Sequence, residues 1–81
     1  MIQIKVELEG RTAIYKDDLF GFEVEVNVRD IGGQADATIS IPRTFDQITP
    51  LMARTLRDVL FEAARFAEIV NGTYRKENYD A

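Results

Sequence analysis

The sequence predicts an α+β fold: an antiparallel meander of three to four strands in β-β-β-α order, with one long C-terminal helix packed on one sheet face. Three observations carry this. Apolar and polar residues alternate along three stretches of the N-terminal half, Gly32-Gly33 punctuates two of them, and an apolar stripe at three-to-four spacing runs between Thr49 and Gly72. A chain of 81 residues, 46% hydrophobic and 30% charged, is sized and composed for one globular core. Residues 1–72 are expected to form a single compact domain. Residues 73–81 are polar and without periodicity, and are expected to be a flexible tail that Tyr74 or Tyr79 pins locally.

In the first strand Ile2, Ile4, Val6 and Leu8 alternate with Gln3, Lys5, Glu7 and Glu9, giving one dry face. Glu9-Gly10-Arg11 and Lys16-Asp17-Asp18 have turn composition, and Thr12–Tyr15 between them reads as either a short strand or a loop. Phe20, Phe22, Val24, Val26 and Val28 then alternate with Gly21, Glu23, Glu25, Asn27 and Arg29, the clearest strand pattern in the chain. After the Asp30–Gln34 turn, Ala35, Ala37, Ile39 and Ile41 alternate with Asp36, Thr38 and Ser40. This predicts a hairpin with Arg29 opposite Asp36.

Pro42 ends that strand. Thr44-Phe45-Asp46-Gln47 matches a capping box and predicts a single helical turn, which Pro50 keeps from merging with the main helix. The main helix takes Thr49 as N-cap, Pro50 as first residue and Asn71-Gly72 as stop, about 22 residues or roughly 33 Å. Met52, Leu56, Val59, Leu60, Ala63, Ala67 and Val70 share its core face, with Phe66 at the edge.

The chain has no Cys, His or Trp. Without Cys there is no disulfide framework, thiolate metal site or thiol nucleophile, and the expected compartment is reducing and cytoplasmic. Without His there is no Ser-His-Asp arrangement, and a general base would have to be a shifted carboxylate or lysine. Ser40, the one serine, faces solvent by strand parity and is a poor nucleophile. The N-terminal residues lack a basic region followed by a long apolar run, and no stretch approaches the roughly 18 apolar residues of a membrane span, so neither export nor insertion is expected. A carboxylate enzyme would need a concave site, and one helix on one small sheet leaves little room for it. No enzyme activity, cofactor or metal is expected.

Residues 1–41 hold four basic groups against eight acidic ones and so carry the whole net charge of −4, whereas residues 42–81 balance. By parity Glu7, Glu9, Glu23, Glu25 and Asp36 all point away from the helix, relieved by Lys5 and Arg29. The open sheet face is therefore acidic. It reads either as a solvated surface kept charged for solubility or as a docking face for a basic partner. A metal site through Glu7 and Glu23 as cross-strand neighbours, with Asp17-Asp18 in a loop, is a minor reading.

On the helix, Arg54, Arg57, Phe61 and Arg65 lie opposite the core face, flanked by Leu51 and Ile69. Arg57, Phe61 and Arg65 are successive i, i+4 neighbours, which sets a ring between two guanidinium groups. Asp58 and Glu62 partly pair with Arg54 and Arg65. Folding alone does not call for Phe61 there, and a contact with a protein partner or a second copy would use it.

The element order resembles the later part of a double-stranded-RNA-binding domain and the small partial RNase-H-like fold of HicB-type antitoxins. The RNA-binding family begins its helix with a lysine-rich stretch, whereas this chain has Ile48-Thr49-Pro50-Leu51-Met52-Ala53, so no functional residue is carried over. The leading expectation is a non-enzymatic protein-interaction module, an adaptor or inhibitor with homodimerisation open to it. This class includes those that phages and mobile elements encode against nucleic-acid-binding machines. The alternative is an RNA- or single-strand-binding domain using the arginine–phenylalanine stripe, against which a net charge of −4 and a pI near 4.7 weigh.

Overall fold

The computed structural model describes residues 3–43 and 45–72. Four strands, β1 (Ile4–Glu9), β2 (Thr12–Asp17), β3 (Glu23–Ile31) and β4 (Gln34–Ser40), precede one helix, α1 (Pro50–Asn71). All neighbours are antiparallel and the spatial order is β1-β2-β3-β4, the meander that the alternation predicts. The β3–β4 turn is two residues long, and Gly32 and Gly33 take φ of 59° and 81°. Two consecutive positive φ values suit the right-handed twist of a tight hairpin, and glycine supplies them without a Cβ clash. Arg29 stands opposite Asp36, Nε to Oδ2 at 3.4 Å.

Thr12–Asp17 is a full strand between β1 and β3. Its inward residues are Ala13, Tyr15 and Asp17, all buried, while Ile14 lies on the other face. The β3 strand begins at Glu23, so Phe20 and Phe22 belong to the loop before it. Asp17 organises that loop. The residue is 2% exposed, and its carboxylate accepts the backbone N–H groups of Leu19 (3.0 Å), Phe20 (2.6 Å) and Phe22 (2.6 Å), while its own N–H donates to the Phe22 carbonyl (3.2 Å). A short acidic side chain in effect replaces a missing turn of backbone pairing. Phe22 is thereby held in the core, where Phe45 meets it edge-on at 4.9 Å between centroids.

Thr49 caps α1 by accepting the Met52 N–H at 3.2 Å, Pro50 occupies the first turn, and Gly72 stops the helix in the left-handed conformation, φ 73°. No helical turn forms over residues 45–49, contrary to the capping-box match. Proline at 50 disfavours helical backbone at Thr49, and Phe45 is drawn to Phe22 instead. Thr44 and the tail 73–81 lie outside the described residues.

Val59, Ala63 and Ala67 are buried against Val24, Val26, Ala37, Ala13 and Tyr15, with Leu56, Leu60, Phe66 and Val70 packed around them. Thr55, absent from the expected core list, is fully buried because its hydroxyl donates to the Leu51 carbonyl at 2.9 Å. The far end of α1 is fastened to β4: the Asn71 side chain accepts the Ala37 N–H (2.7 Å) and donates to the Ala37 carbonyl (3.2 Å).

The helix packs on β2, β3 and β4. A helix about 10 Å across cannot cover four strands spaced about 4.8 Å apart, and β1 lies at its margin, with only Ile4 packed against the core. Val6 and Leu8 are 49% and 76% exposed, so the face of β1 expected to be dry is open beyond Ile4.

Replacing Asp17 with alanine should lower unfolding free energy by about 2–4 kcal/mol, because three loop N–H groups lose their acceptor in a largely dry site. Asp17→Asn, which keeps one acceptor oxygen, should lose less. Urea denaturation monitored by circular dichroism measures both.

Candidate interaction surfaces

The outer face of α1 is built by helix periodicity alone. With Val59 and Ala63 turned to the sheet, positions 54, 57, 61 and 65 are turned away. Arg54, Arg57, Phe61 and Arg65 are all exposed, Phe61 at 44%, with Leu51 and Ile69 exposed beside them. The structure thus brings this predicted set together on one surface. The ion pairs differ in detail from the expected ones: Asp58 takes Arg57, with Nε and Nη2 both on Oδ1 at 3.1 and 3.0 Å, rather than Arg54. Glu62 approaches Arg65 at 4.0 Å. Both pairs are exposed and lend little stability, but they partly neutralise the stripe.

Where the helix meets β2, the Tyr15 ring packs against Phe66 with centroids 6.4 Å apart. Burial pushes the Tyr15 hydroxyl above the ordinary tyrosine value. Glu62 pushes it further in the same direction, and Arg65 opposes both.

The open sheet face holds Glu7, Glu9, Glu23, Glu25 and Asp36, as strand parity predicts. The intervening β2 changes their neighbours. Glu7 stands opposite Ile14, and Ile14 opposite Glu25, so an apolar side chain separates these two acids. Glu23 is paired with Lys16 (3.4 Å), a cation that β2 adds to this face beside Lys5 and Arg29. Glu7 and Glu23 are therefore not cross-strand neighbours. Asp17 is committed to the backbone of its own loop, and Asp18 Oδ1 accepts the Gln3 N–H at 3.0 Å. Among the described residues no group of three acids converges as a metal site.

Further along this face, Thr12 Oγ1 bonds Asn27 Oδ1 (3.0 Å) and Asn27 Nδ2 donates to Ser40 Oγ (3.1 Å), a neutral ladder across three strands. Ser40 lies on the open face, half-buried, as an acceptor in this ladder. Glu7, Glu9 and Glu25 make no ion pair with any described residue. The acidic character of the face comes chiefly from these three. Sequence reasoning missed the apolar strip of β1 as a surface, because alternation shows that Val6 and Leu8 share a face but not which strands the helix covers.

No helix among the described residues is long and apolar enough to cross a membrane. No family model, curated protein or solved structure matches the chain.

Phe66→Ala should cost about 2 kcal/mol of unfolding free energy and Phe61→Ala less, since Phe66 packs against the core cluster and Phe61 is 44% exposed. Chemical denaturation of the two variants checks this difference. For Tyr15, a raised native pKa means that the unfolded chain loses the phenolic proton first. The stability this group contributes is complete below about pH 10 and falls as pH rises through the native value. Tyr15→Phe should therefore flatten the alkaline decline of melting temperature relative to wild type.

Proposed function

We propose that the chain is a non-enzymatic protein-interaction module that docks a partner protein on the outer face of α1, through Arg54, Arg57, Phe61 and Arg65. The exposure of Phe61 on the side of the helix diametrically opposite its packed face carries this reading. Exposed aromatic and arginine residues side by side have the composition of an interface centre rather than of a solvated helix surface. Leu51 and Ile69 extend the apolar area at both ends. The acidic sheet face, on the other side of the molecule, offers a second surface. Glu7, Glu9 and Glu25 there would steer a basic partner, including a nucleic-acid-binding protein, towards the domain.

A nucleic-acid ligand would use the same ring between Arg57 and Arg65 for stacking, but it would approach a molecule with a net charge of −4. The two ligand classes separate by experiment. Partners crosslinked to the wild-type domain in its native cells should be lost with Phe61→Ala and with Arg57→Glu. Neither variant should shift melting temperature by more than a few degrees. Retention of the same partners by both variants would remove the helix face from the account. Fluorescently labelled single-stranded oligonucleotides should show no binding to the wild type at low salt. Binding there, falling steeply as salt rises, would favour the nucleic-acid reading instead.

A further inference from the structure

A four-stranded meander has two edge strands, and this chain treats them differently. In β4 the outward-facing N–H and C=O of Ala37 are both taken by the Asn71 side chain, so the helix end covers the middle of that edge. In β1 no comparable cover exists among the described residues. The Gln3 carbonyl accepts the Asp18 N–H, and the two-residue turn closes on Glu9 and Thr12. Antiparallel alternation then turns the backbone groups of Lys5, Glu7 and Glu9 towards β2 and those of Ile4, Val6 and Leu8 outward. The outward groups of Val6 and Leu8 thus belong to residues whose side chains α1 leaves bare, while Ile4 beside them is half-buried against the core.

We propose that β1 pairs antiparallel with β1 of a second copy, about a two-fold axis at Val6, to give a continuous eight-stranded sheet. Charge complementarity selects the occupant and the register. With Val6 opposite Val6, Ile4 falls opposite Leu8 of the second copy, and each such pair exchanges both of its N–H···O bonds. On the open face the same register sets Lys5 opposite Glu7 of the second copy, twice by symmetry, in the closer non-hydrogen-bonded pairs. The alternatives are worse. Moving the register by two residues sets Lys5 opposite Lys5 or Glu7 opposite Glu7. Moving it by one sets apolar side chains on the charged face and backbone donors out of phase. A self-complementary strand of this kind makes an isologous, closed dimer.

Charge swaps test this without disturbing the monomer, because Lys5 lies opposite Lys16, and Glu7 opposite Ile14, within the chain. Wild type should be a reversible dimer by sedimentation equilibrium in the micromolar range. Lys5→Glu and Glu7→Lys should each raise the dimer dissociation constant about tenfold or more, since each places like charges opposite one another twice. An equimolar mixture of the two variants restores both opposite-charge pairs and should recover wild-type affinity as a heterodimer. The double variant K5E/E7K should dimerise with itself. A wild type that stays monomeric at every concentration overturns the proposal, and so does a dimer that neither single swap weakens. A mixture no tighter than the separate variants overturns the register. A dimer that Phe61→Ala dissociates while the swaps leave it intact would place self-association on the helix instead.

Discussion

One helix has to cover one face of four strands, and it is too narrow to do so. Most features of this molecule follow from how that shortage is placed. By settling on β2, β3 and β4, α1 buries Val24, Val26, Val59 and Ala63 completely and shields the middle of the β4 edge with Asn71. The largest exposure falls on β1, where Val6 and Leu8 are open beside a half-buried Ile4 and all three carry the outward backbone groups, while Ile39 on β4 is 40% exposed. A shortage spread over both edges would expose scattered apolar atoms, which are ordinary on protein surfaces. On β1, where the edge is also unpaired among the described residues, it produces a strand with both a pairing edge and an apolar face.

The opposite faces of the domain have contrasting chemistry for the same reason of economy. The helix uses its inner side for small residues, Ala63 and Ala67 among them, which lets it lie close to the sheet, and its outer side carries the arginines and Phe61. The sheet's open side carries its charge in rows separated by Ile14 and by the neutral Thr12–Asn27–Ser40 ladder. Self-pairing through β1 leaves the helix face, with Arg54, Arg57, Phe61 and Arg65, free for a partner, and on the open sheet face it engages Lys5 and Glu7 while leaving Glu9 and Glu25 accessible. It would also present each face twice, and paired sites bind a repeated partner more tightly than either site alone.

Much of this fold was legible in the sequence, and the exceptions have physical causes. The strong alternation around Val24 and Val26, the Gly32-Gly33 turn with Arg29 opposite Asp36, and the helix from Thr49 to Gly72 all stand where residue pattern places them. Thr12–Tyr15 was ambiguous, and Lys16-Asp17 had the composition of a turn yet ends β2, because the strand's aliphatic Ile14 faces out while an acid, Asp17, faces in. Hydrophobic alternation is inverted where a buried carboxylate organises a loop. The capping box at Thr44 matched by composition, but tertiary contact between Phe45 and Phe22 and the restriction imposed by Pro50 outweigh it. On the surfaces, parity correctly grouped Glu7, Glu9, Glu23, Glu25 and Asp36. Their neighbours could not be read until β2 was known to lie between β1 and β3.

Completion of the bare strand by its own copy would bring two β1 strands side by side, which intermolecular distances across β1 can detect. In a sample mixed from isotope-labelled and unlabelled protein, filtered nuclear Overhauser spectra report only contacts between copies. Self-pairing at Val6 predicts a strong contact between the Lys5 Hα of one copy and the Glu7 Hα of the other, the close approach characteristic of a non-hydrogen-bonded antiparallel pair. A dimer whose filtered spectra show contacts at Phe61 and none along β1 would contradict it.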